Sequence, residues 1–134
     1  MIKASKLSEP IPVHVATAAE FREALLAIRP NLTDNMLAML RFQFRATERT
    51  TTSTELAKSL GYLTDNPANR QYGELGRLIA AALGFTPPRR ADGVYRYWST
   101  LSTDTSESNG GELRFVMRPE LASAVADLRW GGPS

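Results

Sequence analysis

Residues 52–84 read TSTELAKSLGYLTDNPANRQYGELGRLIAAALG, and the punctuation inside this stretch decides the fold. Thr52 has an N-cap side chain and Glu55 stands three residues on, the spacing of a capping box, while Gly61 supplies the positive φ that ends a helix. A short helix is therefore expected here. Asn66 then caps a second, longer helix whose first position is Pro67, where the absent N–H costs nothing, and Gly84 marks a left-handed stop. Ala68, Tyr72, Leu75, Ile79 and Ala82 recur at three- and four-residue steps and form one buried stripe. The other side carries Asn69, Arg70, Gln71, Glu74 and Arg77, the side-chain types that recognition helices direct at base edges and phosphates. Gly73 and Gly76 each cost about 1 kcal/mol relative to alanine inside a helix, so each position needs a compensating gain: close approach of another helix, of a phosphate backbone, or a kink.

The rest of the chain supplies helices before this pair and strands after it. MIKASKLSEP, residues 1–10, reads as a flexible polar arm, and Ile11 to Val15 as a short edge strand, since Pro12 is unsuited to a central one. Thr17 and Glu20 form a second capping box ahead of Phe21, Leu25 and Ile28, and Pro30 stops that helix. Thr33 caps the next, in which Met36, Leu37, Leu40 and Phe44 make the apolar face and Arg41 and Arg45 point away from it. It ends near Ala46, and the threonine-rich residues that follow read as a polar connector. After Gly84, two prolines and a glycine make residues 85–93 irregular; Val94 to Leu101 reads as a strand, residues 102–111 as a mobile loop, and Leu113 to Arg118 as a half-buried strand. Pro119 opens a last helix with Leu121, Val125 and Leu128 inward.

The expected fold class is thus α+β and mainly helical: a winged helix–turn–helix with an extra N-terminal helix and a C-terminal helix, in which the hairpin sits beside the longer helix. One domain spans residues 11–130, with residues 131–134 a disordered tail.

Composition narrows the function classes. With no cysteine, disulfides, zinc ribbons and cysteine nucleophiles are excluded. No apolar run reaches the roughly 20 residues of a membrane span and no signal-peptide pattern opens the chain, so the expected location is cytoplasmic. The net charge of +2 is weak evidence for a polyanion partner. Thirteen of the sixteen cations are arginines, which suit bidentate contact with phosphate and guanine and are also favoured by GC-rich coding. His14, the single histidine, has no carboxylate or serine beside it in sequence, and neither paired acid–base carboxylates nor a phosphate-cradling glycine loop is present. A non-enzymatic protein with no cofactor and no metal is expected.

The candidate DNA-contacting residues are Thr54, Asn66, Asn69, Arg70, Gln71, Arg77, Arg89, Arg90, Arg96 and Arg114, with Asn69, Arg70, Gln71 and Arg77 at the groove and Arg89, Arg90, Arg96 and Arg114 on phosphates. Each has a plainer reading: a solvated helix face in which Glu74 offsets its arginine neighbours, and scattered surface arginines. Asp104 and Glu107, the acidic residues of the expected wing loop, count against a grip on DNA. Tyr95, Tyr97 and Trp98 are placed either for stacking on unpaired bases or in the core, with Trp98 assigned to the core because a strand would turn it away from the two tyrosines.

Three blocks carry a family resemblance: ThrGluLeuAla at 54–57 before Gly61 and Tyr62, AlaAsn-x-GlnTyrGly-x-LeuGlyArgLeu at 68–78, and ArgPro-GluLeu-x-x-Ala at 118–124 ahead of Trp130. From Met39 to Trp130 the chain resembles a winged-helix module found in bacterial modification-dependent restriction endonucleases beside methyl-base-reading (SRA-type) and HNH nuclease domains. The resemblance implies an accessory DNA-engaging domain in restriction or defence. Nuclease activity is not implied, because the HNH histidines and the reader domain are missing. The expected partners are double-stranded DNA, and a separately encoded nuclease or a second copy of this chain. The alternative is a protein-interaction adaptor that uses the same fold without DNA.

Overall fold

The computed structural model describes residues 9–104 and 113–132. It is an α+β structure of five α-helices and one three-stranded antiparallel sheet among those residues. Helix α1 spans Ala18–Ile28 and α2 spans Asp34–Arg45. The Thr17/Glu20 capping box opens α1, with both reciprocal hydrogen bonds formed, and Pro30 turns its end into a short 3-10 segment. Thr33 caps α2 by accepting from the Met36 N–H at 3.1 Å.

Strand β1 spans Thr50–Thr52, where a polar connector was expected. Three consecutive β-branched threonines suit an extended pairing, and Glu48 and Arg49 take positive φ values of 53° and 57° to turn the chain from α2 into it. Arg49 is held by a hydrogen bond to the Phe44 carbonyl and by its guanidinium lying 4.1 Å from the Phe44 ring centroid.

Helix α3, Ser53–Ser59, begins at the expected Thr52/Glu55 box, and Gly61 follows it at φ 79°. Helix α4, Asn66–Leu83, ends at Gly84 in the left-handed conformation, φ 71°. Its cap differs from expectation. Asp65, not Asn66, occupies the cap position, with a helical backbone and no side-chain capping bond, because the turn from α3 enters α4 already coiled. The buried stripe of α4 is Ala68, Tyr72, Leu75, Gly76, Ile79 and Ala80, while Ala82 is exposed.

Residues expected as a strand from Val94 to Leu101 instead form one antiparallel bridge, Arg89 with Tyr95, and a 3-10 turn over Tyr97–Thr100. Tertiary packing overrides the aromatic, β-branched propensity here. The Tyr97 backbone lies against Gly76 of α4, and Ser99 closes the turn by donating its hydroxyl to the Arg96 carbonyl at 2.7 Å. Strand β2 follows at Ser102–Asp104 and β3 at Arg114–Met117. The sheet order is β1-β3-β2, so β3 is central, with Thr51 opposite Phe115 and Thr103 opposite Val116. The loop once expected to be mobile lies largely outside the described residues. Helix α5, Pro119–Asp127, starts at its proline as expected and packs on α1.

The core gathers Phe21, Leu25, Leu40, Leu75, Leu121 and Val125, all fully buried. Within it runs a polar network. Tyr72 donates to Gln43 Oε1 at 2.6 Å and lies 2.6 Å from the Ser102 hydroxyl, while Gln43 Nε2 lies 3.0 Å from Ser102 Oγ and 3.2 Å from the Phe115 carbonyl. One glutamine therefore ties α2 to α4, β2 and β3, and burial pushes the Tyr72 hydroxyl well above its usual pKa. Gln43 sits on the α2 apolar stripe, three residues after Leu40, and that position was its sequence signal.

Residues 9–17 do not form the edge strand expected at 11–15; they lie as a strap without regular structure. Pro10 and Pro12 remove two of the N–H groups a ladder would use. Arg118 holds the strap from beneath: almost completely buried, it donates from Nε to the Ser99 carbonyl at 2.9 Å and from Nη1 to the Val13 carbonyl at 3.1 Å. Burial pushes the Arg118 pKa down and the nearby Glu120 carboxylate pushes it up. His14 lies 3.7 Å from that same Glu120. No helix among the described residues is long and apolar enough to cross a membrane.

Candidate nucleic-acid interface

The outward side of α4 is exposed along its first half, where Asn66, Asn69 and Arg70 stand free of the core. Arg70 has no ion pair or hydrogen bond to another described residue. Asn69 accepts from the Ser53 hydroxyl at 2.5 Å through Oδ1. The Thr54 hydroxyl lies 3.4 Å from Asp65 Oδ2, bracing the turn between α3 and α4. Gln71 is used differently. Its amide donates to the Tyr62 hydroxyl, which also accepts from Asn35 Nδ2 at 2.8 Å, so Gln71 helps bind α4 to α2.

Three of the arginines singled out for DNA, Arg77, Arg89 and Arg90, are neutralised within the chain. Arg77 forms a two-pronged pair with Glu74, 2.9 Å from Nε to Oε1, and this contact lowers the Glu74 pKa while raising that of Arg77. Arg90 donates to both oxygens of Asp92, at 3.3 and 2.6 Å, and lowers its pKa. Arg89 binds Glu9 through its backbone N–H at 2.8 Å and through its guanidinium at 3.3 Å; the backbone bond is the main reason the Glu9 carboxyl is more acidic than usual. Arg96 is half-buried and donates to the Glu9 carbonyl. Arg114, on β3 opposite Thr52, is exposed and unpaired among the described residues. Of the ten residues singled out in the sequence, the structure thus places Asn66, Asn69, Arg70 and Arg114 with outward-facing capacity, and gives the other six partners in the protein.

Between α4 and the hairpin lies an open groove of about 330 Å³. Ser53, Asn69 and Gly73 form its α3–α4 side, and Tyr95, Tyr97 and Trp98 line it from the segment after α4. The expectation that Trp98 faces away from the tyrosines fails because residues 97–100 coil, so alternation does not apply. Trp98 also packs on Phe115, ring centroids 5.2 Å apart, which keeps its inner edge in the core. A second cluster of cations, Arg41, Arg45 and Arg129, surrounds a separate groove between α2 and α5 with no carboxylate among its lining residues. Arg41 and Arg45 lie on the side of α2 away from Gln43, so this group does not extend the α4 face.

Comparison of the chain with family models, with curated proteins and with solved structures returns no match.

Proposed function

We propose that the chain is a winged-helix protein that binds double-stranded DNA without catalysis, with α4 at the major groove and the β2–β3 hairpin as the wing. One observation carries this reading: a strand precedes a helix–turn–helix, a hairpin follows it, and the three strands assemble in the order β1-β3-β2 with α4 lying outside them. Helix α4 packs on α1 and on the 3-10 turn at 97–100 and leaves one side open. The open side bears an amide that can address a base edge, Asn69, and a guanidinium with no partner among the described residues, Arg70, while Arg114 on β3 can reach a phosphate. A role beside a separately encoded nuclease in restriction or defence belongs to the same proposal and rests on the sequence resemblance alone.

The pairing of the other arginines sets a quantitative expectation. Each phosphate neutralised contributes about −0.9 to the slope of log K against log salt. With Arg70 and Arg114 the two of these arginines that have no partner among the described residues, two contacts give a slope of about −2; if Arg77, Arg89, Arg90 and Arg96 exchanged their partners for phosphates, six contacts would give about −5. Fluorescence anisotropy with a labelled duplex over a salt series measures this, and Arg70→Ala is expected to weaken binding about tenfold. A salt-independent response, or wild-type affinity in the double variant Arg70→Ala, Arg114→Ala, would refute the reading.

A protein-docking role is the second reading, and one observation favours it: Arg77 and Arg90 carry their own counterions, which reduces the attraction of this side for DNA. Light scattering on an eluting size-exclusion peak, with and without duplex, separates the two.

A further inference from the structure

Two glycines interrupt α4, and only one is explained by the packing of the fold. A Cβ at Gly76 would overlap the Tyr97 backbone carbonyl and lie 3.2 Å from Leu101 Cδ1, so glycine there is required for the 3-10 turn to approach the helix. A Cβ at Gly73 would meet nothing within 4 Å, although glycine weakens a helix interior. The empty space it leaves opens into the groove described above.

We infer that this groove is a receptor for a single nucleobase unstacked from a nucleic-acid strand, with Gly73 keeping its α4 side clear. The inference rests on the DNA-binding reading and specifies what part of the nucleic acid enters. Three features favour a flat neutral ring over a phosphate. Tyr95, Tyr97 and Trp98 offer aromatic surface, on which any base can stack. Arg90, the one cation among the described lining residues, is paired with Asp92 through both Nε and Nη2, so its charge is already matched. Asn69 has its Oδ1 engaged by Ser53, which leaves its Nδ2 donors for a ring nitrogen or carbonyl. The volume is near the lower limit of about 300 Å³ for small-molecule clefts and suits one ring system, not a dinucleotide. Tyr95 lines the groove and is 39% exposed, so its ring is open to an entering base.

The test compares three labelled duplexes that differ at one position: fully paired, with a single bulged base, and with an abasic site at the bulge. Wild-type protein is expected to bind the bulged duplex about tenfold more tightly than either of the others, since only it offers a base without the cost of unpairing. Gly73→Leu, which projects into the groove, and Tyr95→Ala, at an exposed position, are each expected to abolish that preference while leaving affinity for the paired duplex within twofold of wild type. Thermal melting of both variants checks that they fold; if Gly73→Leu melts early, Tyr95→Ala alone decides. Equal affinity for all three duplexes would overturn the inference and leave the DNA-binding reading in place. Binding to none of them would overturn both.

Discussion

The surroundings of the two glycines inside α4 differ. Gly76 lies on the buried stripe with Leu75, Ile79 and Ala80, and the Tyr97 backbone laid against it leaves no room for a side chain. Gly73 follows the exposed Asn69 and Arg70 and has open space where its side chain would be. The same residue type, three positions apart on one helix, serves the fold in one case and has no packing partner in the other. Glycine in a helix is therefore informative only once its surroundings are known: occupied surroundings give it a structural reason, and empty ones point outside the molecule.

The most severe break of that contrast is Gly76→Ala. Its methyl would collide with backbone that cannot swing aside, so urea unfolding should show a net loss of about 1–3 kcal/mol despite alanine's better helix propensity. Tyr72→Phe tests whether the packed side depends on its polar network as well as on shape. Removing the hydroxyl strands Gln43 Oε1 and Ser102 in the core, with an expected loss of about 1–2 kcal/mol at unchanged urea m-value. Gly73→Ala sharpens the contrast by reversing the sign: with nothing for the methyl to hit, it should raise stability by about 0.5–1 kcal/mol. The smallest effect belongs to Glu74→Gln. Arg77 holds the folded Glu74 carboxyl below its usual pKa of 4.5, so the pair stabilises the fold above that pH and the contribution is lost as pH falls through the lowered value. The urea midpoints of wild type and Glu74→Gln should therefore differ slightly at pH 7 and converge as the pH falls below the lowered Glu74 value, while DNA affinity at pH 7 should rise slightly in the variant as Arg77 is released.

Local chemistry made much of this architecture legible in the sequence. Thr17 with Glu20, Thr52 with Glu55, Thr33, Gly61 and Gly84 each act within a few residues, and each marks a helix boundary in the structure. What eluded sequence reading depends on partners far along the chain. The threonines of β1 become a strand only because β3 lies beside them, and the aromatic run at 95–98 coils because α4 receives the Tyr97 backbone. The candidate interface divides in the same way. The Glu74–Arg77 and Arg90–Asp92 pairs are three and two residues apart and could have been anticipated, whereas Glu9 meets Arg89 across 80 residues and no spacing rule announces it. Counting arginines overstated the free positive charge for that reason.

The strap over residues 9–17 bears on how the chain reaches its native state. Its anchor at Val13 lies 105 residues from Arg118, and Glu9 is bound by Arg89 and Arg96, so the strap is tied only to segments far along the chain. Without regular structure and held largely by exposed hydrogen bonds, the strap is expected to open before the helices do. In hydrogen exchange the Glu9 amide, bonded to the Arg89 carbonyl, should lose its protection ahead of every amide in α4, and mutations along the strap should accelerate unfolding while leaving the refolding rate almost untouched.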